Sequence, residues 1–222
     1  MPQNLLGIHG VVGLICAVGE GGRILHFPGD TYEPREVLSP TDATLRSIYV
    51  DSPVSAWAVG DAGTVLHWDG HQWHPVALAS KHDNLLTVYG VSGDVWIGGE
   101  HRLILHRPHA TGGMLVSTQH TIRSIWASGR NDVWILADDS TVLHIGAGRY
   151  QEIPVPALAS DRFNAIGGNH PEDVFLVGAG GLVARWNGSR WQAMASGTQE
   201  SLRAVCGGDA GDAWAVTNRG DI

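Results

Sequence analysis

One pattern constrains this sequence more than any other: an apolar run carrying an aromatic residue that returns about every forty residues. Trp57, Trp96, Trp134, Phe175 and Trp214 mark the run, and Cys16 holds the same place in the first copy. The clearest copy extends from Leu45 to Val76, LRSIYVDSPVSAWAVGDAGTVLHWDGHQWHPV. Each copy reads as four short strands bounded by Gly, Asp and Asn turns. In the second copy these are Leu45–Val50, Ala56–Gly60, Thr64–Trp68 and a strand starting at Trp73. Asp61-Ala62-Gly63 turns the second strand into the third, with Gly22, Gly181 and Gly220 at the place of Gly63, where glycine permits a positive φ. Ten residues on from that place stand Tyr32, Trp73, Tyr150 and Trp191.

A four-stranded antiparallel unit of this length cannot bury both its faces alone, so successive units must stack. Together with middle strands that are apolar on both faces, such as AWAVG and TVLHW, this predicts an all-β fold: a β-propeller of six four-stranded repeats. The repeats span approximately residues 4–43, 44–83, 84–120, 121–161, 162–200 and 201–222 of a single domain. The sixth has a first strand (Leu202–Gly207) and a second (Ala213–Thr217), and ends where the second copy continues into its third. The expectation is therefore an incomplete last blade, finished either by a natural continuation of the chain or by strands from another polypeptide.

Asp69-Gly70…Trp73 and Asn187-Gly188…Trp191 place a turn Asp or Asn and a Trp around the hairpin between third and fourth strands. In this the chain resembles bacterial propeller repeats of the Asp-box and photosystem II assembly-factor type, and those of two-component-regulator propellers. The resemblance covers nearly the whole chain through scaffold residues, and implies a fold and a general binding role rather than a reaction.

Composition fits a turn-rich sheet protein, with 30 Gly and only 16% charged residues. A net charge of −8 argues against a general nucleic-acid binder. A single lysine, Lys81, against 13 arginines hints at a GC-rich bacterial source. Cys16 and Cys206 are too few for a disulfide framework and are expected to be buried free thiols. Met1-Pro2-Gln3-Asn4 lacks the basic start of a signal peptide, and the apolar stretch Val11–Val18 is far too short to span a membrane. A cytoplasmic protein without membrane or nucleic-acid partners is the expectation.

Four histidines, His26, His67, His106 and His144, stand four residues after the turn position, and Arg185 takes the fifth place. Equivalent positions on separate blades diverge, so no metal site is expected from them, only hydrogen bonds to a neighbouring blade or turn. Asp94, Asp132, Asp173 and Asp212 each precede the marker aromatic by two residues and read as turn residues. No nucleophile–base or phosphate-loop pattern has a credible context. The chain is accordingly expected to be no enzyme and to need no cofactor.

Arg46, Arg123, Asn164 and Arg203 share one place, the second of the first strand, where Leu6 and Leu86 stand in the other two copies. Because that strand is expected to be innermost, the four are candidates for an anion or an acidic partner group. The third copy departs from the pattern. It has Arg102 in place of the turn glycine, Arg107-Pro108-His109 in place of the Trp-Asp-Gly turn, and Gly112 in place of the fourth-strand aromatic. Arg102, Arg107 and His109 are thus candidates for a partner surface. The resulting reading is a scaffold for protein–protein interaction. The alternative is a glycan-binding propeller, which requires Trp73, Trp191, Tyr32 and Tyr150 to lie open at blade edges. A hydrolase of the sialidase type stands third.

Overall fold

A computed structural model of the chain describes residues 4–29, 33–77, 83–100, 102–106, 114–117, 120–146, 149–155, 162–208, 212–217 and 219, with side chains of 102–106 and 114–117 left aside. These residues form six antiparallel sheets, taken in chain order. The first comprises β1 (Leu5–Val11), β2 (Leu14–Gly19), β3 (Ile24–Pro28) and β4 (Arg35–Glu36). The second comprises β5 (Leu45–Ser52), β6 (Ser55–Gly60), β7 (Val65–Trp68) and β8 (Trp73–Pro75). The third comprises β9 (Leu85–Val91), β10 (Asp94–Gly99), β11 (Arg102–His106) and β12 (Met114–Ser117). The fourth comprises β13 (Ile122–Gly129), β14 (Asp132–Ala137), β15 (Val142–Gly146) and β16 (Arg149–Ile153). The fifth comprises β17 (Phe163–His170), β18 (Asp173–Gly178), β19 (Val183–Trp186) and β20 (Trp191–Met194). The last has only β21 (Leu202–Gly207) and β22 (Ala213–Thr217). The full four-stranded sheets among the described residues thus number five, not six. The chain divides into two compact units, Met1–Gln119 and His120–Ile222. No helix among the described residues is long and apolar enough to cross a membrane.

Within each unit, neighbouring sheets meet through apolar second and third strands and are stitched together at their first strands. In the first unit Cys16, Val18 and Ile24 pack against Leu45, Ile48, Leu66 and Trp73 of the next sheet. Trp57 and Val59 do the same with Leu85, Val88 and Ile97. In the second unit Val177 and Leu202 are buried together. The polar residues of the first strands reach the backbone of the next first strand. Val50 N–H donates to His9 Nδ1 at 3.0 Å and Val88 N–H to Ser47 Oγ at 3.2 Å. Ile166 N–H donates to Ser124 Oγ at 3.2 Å. A buried backbone amide needs such a partner, and a short polar side chain on the adjoining sheet supplies it.

The turn between second and third strands explains where the repeat holds and where it slips. Gly22 and Gly181 have φ of +69° and +73°, and a Cβ at either would lie 1.9 Å from a carbonyl oxygen, of Thr41 and Thr198 respectively. Ser140 keeps the same conformation in the fourth sheet at φ +66°. Arg102 is bulkier, and a left-handed conformation costs such a residue more. Gly99 instead pairs directly with Arg102. The register then shifts by one: Trp96 pairs with Leu105, whereas Trp57 pairs with His67 and Trp134 with His144.

Two burial expectations need correction. Cys16 is buried, which pushes its thiol pKa up to about 12, but Cys206 is exposed. Trp57, Trp96 and Trp134 are buried as expected, yet Trp214 is 58% exposed because no third strand or following sheet among the described residues covers it. Trp134, 1% exposed, packs against His144, Trp186 and Trp191 with ring centroids 4.2, 5.3 and 5.8 Å away. Replacing it by Ala is expected to cost about 3–5 kcal/mol, as large core truncations do. Chemical denaturation of the purified variant measures this, and an unchanged midpoint would refute the core assignment.

Candidate functional site

Arg46, Arg123, Asn164 and Arg203 share a structural peculiarity that their common register foreshadows. Each is the residue skipped in the pairing of its first strand with the second, and so sits at a β-bulge. Leu6 and Leu86 occupy the same bulge in the first and third sheets. A bulge re-aims the side chain of the residue it leaves out of the ladder. What those side chains then do differs. Arg46 forms a forked ion pair with Asp61 in its own sheet, with Nη2 donating to Oδ2 at 3.2 Å, so its guanidinium is committed. Asn164 Nδ2 donates to the Leu202 carbonyl at 2.7 Å and ties the fifth sheet to the last. Arg123 and Arg203 are exposed. Arg102 opens β11, and Arg107 and His109 lie outside the described residues.

In the fourth sheet the periodic acid and histidine prove to be two halves of one device. Asp132 lies opposite His144 across β14 and β15, with His144 Nε2 2.6 Å from Oδ1. Ser128 Oγ donates to Asp132 Oδ2, and Trp134 Nε1 donates to Oδ1 at 3.2 Å. In the fifth sheet Asp173 is held by Arg185 Nε and by Asn169 Nδ2 at 3.0 Å, and the Arg185 guanidinium lies 5.5 Å over the Phe175 ring. In the second sheet Ser55 Oγ stands 3.5 Å from His67 Nε2. The turn reading of these acids is therefore corrected for Asp132 and Asp173, which clamp the second strand to the third. The interval of twelve residues between partners was present in the sequence, and the missed step was to pair the two periodicities. In the first sheet, where Leu14 replaces the acid, His26 Nε2 instead accepts from Trp73 Nε1 of the next sheet at 3.3 Å. Burial lowers the His26 pKa, which suits an accepting, neutral ring.

Trp73 and Trp191 are buried, so neither offers a platform for a sugar ring. Tyr150 is exposed, and Tyr32 lies outside the described residues. Asp69 and Asn187, which carry the family resemblance, close their turns. Asp69 Oδ1 accepts from His71 N–H at 2.8 Å and Gln72 N–H at 2.9 Å, and Asn187 Oδ1 accepts from Ser189 and Arg190 N–H at 3.1 and 3.0 Å. The Gln72 and His71 amides, with His74, hold the Asp69 carboxyl well below the usual carboxylate range. Although no metal was expected, His120, Asp138 and Asp139 bring three possible ligand atoms within 4.8 Å of one another. His120 and Asp139 are already engaged, with His120 Nδ1 3.1 Å from Asp139 Oδ2 and Thr141 N–H donating to Asp139 Oδ1 at 3.1 Å.

Cavities among the described residues include one of about 180 Å³ beside Gly13 and Gly29 of the first sheet. A groove of about 460 Å³ in the second unit lies between the fifth sheet and the two-stranded one. Its walls are Phe175, Val177 and Val183 on one side and Val205, Ala213 and Ala215 on the other. A smaller cleft of about 230 Å³ in the first unit is bounded by Tyr49, Trp57 and His67 of the second sheet and Asp94 of the third, with Asp51 beside them.

No family model matches this chain, and no curated protein matches it. Among solved structures, virginiamycin B lyase from Staphylococcus aureus is similar over 95% of this chain and 76% of its own, with 16% identity and a TM-score of 0.81. YCF48 bound to D1 peptide is similar over 98% of this chain and 76% of its own, at 14% identity and a TM-score of 0.76. YCF48 from Cyanidioschyzon merolae is similar over 98% and 81%, at 14% identity and a TM-score of 0.73. The fold is an all-β propeller. One expectation falls here. The absence of catalytic motifs was read as the absence of catalysis, yet the same fold is carried by a lyase, so this scaffold gives no ground for excluding an enzyme.

The Asp132 clamp yields a pH-dependent prediction. Burial raises the Asp132 pKa, but the hydrogen bonds from His144, Ser128 and Trp134 outweigh it and hold the carboxyl below its ordinary value. A depressed native pKa contributes stability above the unfolded value near about 4, and that stability is lost as pH falls through the lower native value. Asp132→Asn is expected to cost about 1.5–3 kcal/mol at pH 7, the range for hydrogen bonds to a charged group. In urea melts across pH, the gap between wild type and variant should narrow as pH falls below about 4; a gap independent of pH would count against the clamp.

Proposed function

We propose that this chain is a protein-binding propeller that takes up an extended polypeptide segment of a partner. The observation that carries the reading is the groove beside the two-stranded sheet. Among the described residues β22 pairs in a sheet only with β21, so the outer edge along Ala213–Val216 presents backbone N–H and C=O groups. The adjoining groove presents Phe175, Val177, Val183, Leu202 and Val205. A polypeptide answers both demands at once: its backbone pairs with the edge, and its alternate side chains fill the apolar walls. In the fifth sheet β19 does this for β18, through Val183–Trp186. A strand of the same apolar character, provided by a partner or by another segment of the same protein, would complete the sixth blade. The likeness to YCF48 bound to D1 peptide supports a peptide-binding role for this fold. The glycan reading loses its platform with the burial of Trp73 and Trp191.

The exposed Arg123 and Arg203, and the irregular third repeat with Arg102, Arg107 and His109, are proposed as further partner contacts. Contacts of this kind act mainly on association rate and salt dependence. Arg123→Glu is therefore expected to slow association of an acidic partner while leaving the melting temperature unchanged. Equal association rates for wild type and variant would remove Arg123 from the interface.

The groove is tested with a partner captured from the native host. Hydrogen exchange of the Ala213–Thr217 amides should slow on binding, and Trp214 fluorescence should shift as the ring is covered. Unchanged exchange across those five residues in the presence of a bound protein would refute strand addition.

A further inference from the structure

The third strands of four sheets follow one rule of order. Ile24-Leu25-His26-Phe27, Val65-Leu66-His67-Trp68, Val142-Leu143-His144-Ile145 and Val183-Ala184-Arg185-Trp186 each read apolar, apolar, His or Arg, bulky apolar. Their registers agree as well. The His or Arg stands opposite the marker residue of the second strand: His26 opposite Cys16, His67 opposite Trp57, His144 opposite Trp134 and Arg185 opposite Phe175. The bulky residue that follows stands opposite Ile15, Ala56, Val133 and Val174 in turn. A cross-strand pair repeated in this way fixes register, because a slip of one residue exchanges the two faces of the strand.

In the fourth and fifth sheets that His or Arg answers an acid and lies against a ring. His144 meets Asp132 and stacks on Trp134, and Arg185 meets Asp173 and lies over Phe175. The last sheet has the acid and the ring in the same two places, Asp212 and Trp214. Both are exposed. Gly208 N–H and Asn169 Nδ2 donate to the Asp212 carbonyl at 2.8 and 3.0 Å, which fixes this residue at the entry to β22. None of the described residues pairs with its carboxylate. Alternation along β22 turns Ala213 and Ala215 the other way, into the groove that Phe175 and Arg185 border. In the sheet before, the equivalent Trp134 ring is met by Trp186 at 5.3 Å.

We propose that the segment which the partner adds beside β22 carries the same order, apolar, apolar, His or Arg, aromatic, and runs antiparallel to β22 with its His or Arg opposite Trp214. The planar cation pairs with the Asp212 carboxylate while stacking on the Trp214 ring, a combination that guanidinium and imidazolium groups satisfy together. The aromatic residue, opposite Ala213, enters the groove and covers Phe175 and Arg185 as Trp186 covers Trp134. The two apolar residues stand opposite Val216 and Ala215. This rests on the strand-addition reading and adds to it the chemistry of the partner segment, its direction and its register.

The test uses the whole chain and a probe peptide with the sequence of residues 64–76, TVLHWDGHQWHPV. Two further peptides carry His67→Arg and, as the neutral control, His67→Gln. Hydrogen exchange of the Ala213–Val216 amides should slow saturably with the His and Arg peptides, and the Gln peptide should bind at least fivefold more weakly. Added salt should weaken the Arg peptide more than the Gln peptide. Asp212→Asn, at an exposed position, should bring the Arg peptide down to the level of the Gln peptide with an unchanged melting temperature. Equal affinities for the three peptides, or undiminished Arg-peptide binding in Asp212→Asn, would overturn the proposal and leave strand addition standing. Protection that rises with protein concentration in the absence of peptide would give the edge to a second copy of the chain and overturn it as well. No protection by any of the three peptides would also overturn it, and strand addition is then decided by the effect of the captured partner on the same amides.

Discussion

Everything in this fold depends on the contact between one sheet and the next. A four-stranded sheet of about twenty paired residues has two apolar faces and no core of its own, so its stability is borrowed from its neighbours. The aromatic residues concentrate that dependence. Trp73 inserts against His26 and Trp68, and Trp191 against Trp134 and Trp186, each reaching back from the fourth strand of one sheet to the middle strands of the sheet before. Offset and edge-on ring contacts at these distances add specificity of register to the burial of area. A sheet slipped by one residue would take its own rings out of that contact.

The polar groups serve that contact rather than interrupting it. Asp132 and Asp173 sit at the start of their second strands, where an unpaired carboxylate beside Trp134 or Phe175 would be costly. His144 and Arg185 answer from the third strand, and both cations or rings lie against the same aromatic they help to orient. At the first strands, where sheets come closest, His9, Ser47, Ser124 and Asn164 satisfy backbone groups of the neighbouring strand. Two economies of the sequence follow: in the fourth and fifth sheets one acid clamps the second strand to the third, and at these sheet contacts one polar side chain ties neighbouring first strands together.

The repeat, the strand boundaries and the burial of Trp57, Trp96 and Trp134 were legible because they follow from local alternation and turn chemistry that recur several times over. Glycine at the turn was legible for the same reason, since Gly22 and Gly181 need the conformation that only glycine adopts freely. What was not legible depends on pairing. The common register of Arg46, Arg123, Asn164 and Arg203 could be seen, but not that it marks a bulge, because a bulge is a relation between two strands. The Asp61 partner of Arg46 and the Leu202 partner of Asn164 belong to the tertiary fold in the same way. Arg102 was visible as an anomaly, while its consequence, a ladder displaced by one, required the strand pairing. The exclusion of catalysis failed for a different reason: missing motifs speak to known chemistries, and a fold shared with a lyase removes the inference from scaffold to inertness.

Departures from the consensus carry more functional information here than the consensus does. In the fifth sheet and its neighbour, rings and clamps engage one another. The groove beside Val177 and Val205 lies where the last sheet has two strands among the described residues. That leaves apolar side chains next to a strand edge. In a repeat protein the chemistry of such a groove is set by which part of the interlocking contact between sheets is absent beside it.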